Sequence, residues 1–165
     1  MPWLVERHGV ALGGMGAAEL LQRPLTAFFA SRQCPGTAIL AATAWALQQA
    51  RGQHTVIGGF HSPLEQSVLR LLIEGGGEAV VVLARPAAIA SLPSTWQGAL
   101  DAGRMAVVSR ATTARRLTER AANDRNDLAA RLANKIAVAH ASAGGRLSGQ
   151  CSRWRAEGLV VVPVA

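Results

Sequence analysis

Two short stretches carry residue types suited to holding an anion. The first is Gly58-Gly59-Phe60-His61-Ser62-Pro63-Leu64-Glu65. Paired glycines let a backbone approach a ligand closely. Ser62, Pro63 and Glu65 have the spacing of a capping box, so a helix opens there with its free N–H groups aimed forward. The second is Ser31-Arg32, a hydroxyl and a guanidinium at the end of an apolar run. Together these suit a phosphate. His61, in the Gly-rich turn, reads as a site residue, whereas Glu65 is more simply the far half of the capping box and His140 a polar strand end. His8 and His54 have no companions. No His, Cys, Asp and Glu set has metal-ligand spacing, and no metal or cofactor is expected. Cys34 and Cys151 stand far apart and read as isolated thiols.

A third group is the arginine run Arg104, Arg110, Arg115, Arg116, Arg120, Arg125 and Arg131. Interleaved Glu119, Asp124 and Asp127 can neutralise several of these by pairing along a helix. Arg116 remains a secondary candidate, and the run otherwise reads as a solvated helix face. Among 17 basic residues Lys135 is the only lysine; with 10 acidic residues the net charge is +7. Such a balance attracts nucleic acid, nucleotides or acidic partners. Tyrosine is absent and aromatics make up 4%, which argues against a large base-stacking platform.

These residues need a scaffold, and the rhythm of the chain supplies one. Apolar runs at Leu25–Ala30, His54–Ile57, Ala79–Leu83, Met105–Ser109, Lys135–His140 and Leu159–Val164 read as strands. Helical stretches separate them: Pro35–Ala50, Leu64–Ile73, a short one around Trp96–Leu100, Thr113–Asn134 and Leu147–Ala156. Alternating strands and helices predict a three-layer α/β, Rossmann-like domain with a mostly parallel sheet of about six strands. The natural order for two consecutive halves is 3-2-1-4-5-6. Residues 1–24 carry no strong pattern and are expected to form an extension before a domain at 25–165. With 165 residues, half of them hydrophobic, there is ample material for a core. No apolar run reaches the ~18 residues of a membrane span. Glu6 and His8 interrupt the stretch a signal peptide would need, so a soluble, cytoplasmic protein is expected.

The strand-end residues fall on one rim. No complete G-x-G-x-x-G follows the first strand and no G-x-x-x-x-G-K-[ST] occurs, so neither a standard dinucleotide fold nor a P-loop NTPase is supported. The ordered set instead resembles the Rossmann-like domain of the DNA-processing protein A (DprA/Smf) family. The family's first strand ends in Gly-Ser-Arg; here it is Ala30-Ser31-Arg32. Its second strand leads through Ser-Gly into a helix start, here Gly58-Gly59-Phe60-His61-Ser62. Its Arg-Asn pair is matched by Arg125-Asn126, and its small-residue loop by Ser142-Ala143-Gly144-Gly145-Arg146-Leu147. The family's Gly-Ile-Asp is absent, Ala-Ala-Asn-Asp precedes Arg125, and His140 replaces an acidic residue. The resemblance implies a non-enzymatic module that binds single-stranded DNA or another phosphate-bearing ligand through Ser31, Arg32, Gly58, Gly59, His61, Ser62, Arg125 and Asn126. It also implies a homodimer. The same superfamily includes the LOG-type phosphoribohydrolases. Of their Pro-Gly-Gly-x-Gly-Thr-x-x-Glu motif this chain has only Gly58-Gly59 and Glu65, leaving a nucleotide-processing enzyme, or a small-nucleotide sensor, as the alternative.

Overall fold

Residues 2–87, 90–110 and 119–164 are described by the computed structural model. The chain opens with β1 (Trp3–Arg7) and β2 (Val10–Gly16), then β3 (Leu25–Phe29), α1 (Gly36–Arg51), β4 (Thr55–Gly58), α2 (Pro63–Glu74) and β5 (Glu78–Val82). It continues through α3 (Gln97–Asp101), β6 (Met105–Arg110), α4 (Glu119–Leu132), β7 (Lys135–Val138), α5 (Arg146–Ala156) and β8 (Val161–Pro163). The predicted strands and helices recur among the described residues, in three layers around one sheet; residues 113–118 of the helical stretch expected at 113–134 lie outside them.

Alternation along the strands builds two cores. Phe28, Val56, Val81, Val107 and Ala137 face the layer of α1, α2 and α3. Phe29, Ile57, Val80, Val108 and Ile136 face α4 and α5. Burial on both faces is why these strands read as unbroken apolar runs. β3 is pinned on each side by an aromatic pair. Phe28 stacks on Trp45 at 5.1 Å, and Phe29 meets Trp154 at 5.0 Å. Truncating either phenylalanine to Ala should cost about 3–5 kcal/mol.

The sheet has eight strands, not about six, in the order β1-β2-β6-β5-β4-β3-β7-β8. All pairings from β6 to β8 are parallel. The expected 3-2-1-4-5-6 order is therefore corrected: β6 lies beyond β5 rather than beside β3. Handedness explains this. A right-handed crossover moves the chain one way while its helices stay on one face. Ala87, Leu92, Trp96, Ala99 and Leu100 pack in the same layer as α1 and α2, so the march from β3 through β6 never turns. It reverses only when α4 crosses to the other face. There α4 lies over β3, β4 and β5 and delivers β7 to the free side of β3.

The two additional strands come from residues 3–16. His8 and Gly9, at φ 51° and 76°, make the two-residue turn that suits a twisted hairpin. Trp3, Val5, Val10 and Leu12 pack against the α4–α5 core, and β2 covers the edge of β6 in antiparallel register. The Trp3 indole donates to the Gly16 carbonyl at 3.0 Å. Its ring lies on Gly14, where a Cβ would come within 2.7 Å of Cζ2.

Candidate functional site

Because β3 to β8 run parallel, the loops after them gather on one rim. Strand order reverses between β3 and β7, and in such sheets the crevice at the reversal is the usual ligand site. Ser31 stitches its two walls together. Its N–H donates to the His140 carbonyl at 2.9 Å, and its Oγ accepts the Ser142 N–H at 2.9 Å. The hydroxyl hydrogen stays available to donate. Cys34 donates from Sγ to the Ser31 carbonyl at 3.2 Å. Burial pushes the Cys34 thiol up, and the nearby Glu65 charge adds to this, so it is a poor nucleophile at neutral pH.

Glu65 braces the next loop. Its side chain is buried, at 5% exposure. Oε2 accepts the Ala30 N–H at 2.9 Å; Oε1 accepts those of His61 at 2.9 Å and Ser62 at 3.2 Å. Ser62 Oγ accepts the Glu65 N–H in return, completing the predicted capping box. One carboxylate thus ties the ends of β3 and β4 to the start of α2. The brace matters because Phe60 stands in the left-handed region at φ 49°, a conformation that costs a bulky residue about 1–3 kcal/mol.

The cation arrives from the opposite face. Arg125, on the rim half of α4, lies flat on Gly59: a Cβ there would collide with Nε and stand 2.8 Å from Cδ. Gly58 is similarly confined, since a Cβ there would stand 3.1 Å from the Phe28 carbonyl oxygen. Burial lowers the Arg125 pKa, and Glu65 opposes the shift; an arginine remains charged throughout the physiological range. Its Nε donates to Asn126 Oδ1 at 3.3 Å, and Asn126 Nδ2 donates to Gln150 Oε1 at 3.5 Å. Among the described residues the two terminal nitrogens of Arg125 have no partner.

The fold therefore brings Ser31, Gly58, Gly59, Ser62, Glu65, Arg125, Asn126 and His140 to one crevice. The Ser62 hydroxyl is committed to the helix cap. Arg32 and His61 are exposed, on the loops following β3 and β4. Arg116 lies outside the described residues. Of the remaining arginines, Arg131 and Arg153 pair with Asp127 at 3.0 and 3.2 Å, the neutralised helix surface expected from the charge pattern. Gln150 was not singled out by sequence, and Ser142 entered only as the start of the small-residue loop. Ser142 carried a signal, as a hydroxyl in a small-residue loop at a strand end; Gln150, inside a helix, carried none. No group of three metal-ligating side chains occurs among the described residues.

No family model matches the chain, and no curated protein matches it. Solved structures do. DNA processing protein A from Streptococcus pneumoniae aligns with a TM-score of 0.75 over 93% of this chain, at 19% identity. The Helicobacter pylori protein aligns with a TM-score of 0.80 over 99%, at 10% identity. The fold is that of DNA processing protein A. This chain spans 54% of the S. pneumoniae DprA and 80% of the H. pylori one, and it is the H. pylori DprA whose single-stranded DNA binding mode has been described. The molybdenum cofactor carrier protein of Chlamydomonas reinhardtii shares the broader architecture, with a TM-score of 0.58 over 86% of the chain at 12% identity. At these identities the likeness to DprA is one of fold.

Proposed function

We propose that this chain binds single-stranded DNA through its backbone phosphates, on the rim between β3 and β7. The observation that carries the reading is the meeting of Ser31, Gly59, Arg125 and Asn126 in one crevice, with the terminal nitrogens of Arg125 unpartnered among the described residues. Ser31 and Arg32 contact a phosphate, Gly58 and Gly59 admit it, His61 steers it from the exposed turn, and Arg125 with Asn126 closes the site. Ser62 acts indirectly, by capping α2. The DprA fold supports the choice of ligand. With 4% aromatics, affinity comes mainly from phosphate contacts and is steeply salt-dependent.

In this reading Glu65 is a brace and not a catalytic acid, because three amide hydrogens occupy most of its acceptor positions. That favours a binding module over a nucleotide hydrolase. Two free thiols fit a reducing cytoplasm. No helix among the described residues is long and apolar enough to cross a membrane. The reading extends to pairing of two copies, which light scattering would detect as a doubled mass.

The test is a fluorescence-anisotropy titration with an end-labelled oligothymidylate across a salt series. The wild-type chain should bind at low salt. Combining Arg32→Ala with Arg125→Ala should weaken binding and flatten the slope of log K against log salt by about 1.4, since each phosphate contact on a single strand contributes about 0.7. An unchanged slope, or no wild-type binding at low salt, overturns the reading.

A further inference from the structure

The seam between α4 and α5 is unevenly satisfied. Toward the lower end, Asp127 is saturated: Oδ1 accepts the Trp154 indole at 2.9 Å and Arg153 at 3.2 Å, and Oδ2 accepts Arg131 at 3.0 Å. One helical turn nearer the rim, Gln150 is buried at 4% exposure, yet among the described residues its Nε2 has no partner. A buried donor left unpaired is costly and needs an explanation.

The hydrogen-bond directions supply one. The Arg125 Nε–H can only donate, so it fixes Asn126 with Oδ1 toward itself. Asn126 must then turn Nδ2 toward Gln150, and Gln150 must answer with Oε1. The unpaired Nε2 follows from this orientation. Turning the Gln150 amide round would set NH₂ against NH₂ and release Asn126.

We propose that Gln150 is a positioning residue for Arg125. Resting on the binding site proposed above, it locks the Asn126 amide so that Arg125 Nε is held and the two terminal nitrogens stay free for a phosphate. Gly59 blocks the guanidinium from beneath, and Gln150 fixes it from the side.

A double-mutant cycle tests this. Gln150→Leu, which conserves shape and removes the unpaired donor together with the bond from Asn126, should fold with little change in Tm, the two effects offsetting each other. It should weaken oligothymidylate binding about fivefold, the effect of one neutral hydrogen bond. In an Arg125→Ala background the same change should have no effect on binding, because the group it positions is gone. An equal loss in both backgrounds, or no loss in the wild-type background, overturns the proposal. The Arg125 Nε–H proton, followed by NMR, supplies a readout that needs no ligand. Gln150→Leu should shift it and speed its exchange with solvent; an unmoved signal overturns the relay. If the wild-type chain binds no oligonucleotide, the function falls, while this signal alone still decides the relay.

Discussion

Single side chains divide here into those that make the crevice and those that hold the chain together, and substitutions should separate the two. Gly59→Ala places a methyl where Arg125 lies. It should reduce oligonucleotide affinity at least tenfold by displacing the guanidinium, with a smaller loss of Tm, as read by anisotropy and calorimetry on the same preparation. Asp127 belongs to the second kind. Burial pushes its carboxyl up, but hydrogen bonds from Trp154, Arg131 and Arg153 outweigh this and hold its pKa below the ordinary carboxylate value. A depressed folded-state pKa adds stability above the unfolded value near ~3.9, and that contribution disappears as pH falls through the folded value. Asp127→Asn should therefore cost about 1–2 kcal/mol at pH 7, with the gap from wild type closing as pH falls below the ordinary carboxylate range in urea titrations. The strand-end positions of Ser31 and Gly59 were legible because each follows an apolar run, whereas Arg125-Asn126 was visible only through its match to the DprA pattern. Gln150 was not legible: a polar residue within a helix looks the same whether it faces solvent or a neighbouring amide.

At the level of elements, legibility followed apolar contrast. The six parallel strands were visible as apolar runs, and α2 was visible through its capping box, which the structure reproduces atom for atom. The β1–β2 hairpin was hidden because Gly13, Gly14 and Gly16 dilute the alternation of β2. Yet those glycines are placed by contacts, since Trp3 covers Gly14. The His8-Gly9 turn between alternating residues was the available signal. Two substitutions measure what the hairpin contributes. Gly9→Ala meets no neighbour and should cost only the backbone strain of its positive φ, about 1–2 kcal/mol. Gly14→Ala must expel the Trp3 ring, so it should cost more and also quench or shift the Trp3 contribution to fluorescence. Equal losses in denaturant titrations would show that the ring does not pin the hairpin to the sheet.

Across the whole molecule, strand order was the feature that local patterns could not supply. It depends on which face each helix covers, and the weakly patterned stretch between residues 87 and 102 hid that β6 continues the first march. The resulting arrangement leaves the central strand β3 in an unusual position in time. Its partner on one side, β4, follows after a single helix. On the other side Leu25 bonds Asn134, 109 residues later. Closing so long a loop is slow, so β7 should dock after β3 to β6 have assembled. Leu128→Ala, on the buried side of α4, should then speed unfolding and leave the folding rate nearly unchanged in stopped-flow experiments, whereas Val56→Ala should slow folding. Ribosomes add about 5–20 residues per second. During synthesis the apolar flank of β3 therefore waits roughly 5–20 s for its second neighbour, an interval in which the nascent chain depends on chaperones to avoid pairing with another copy of itself.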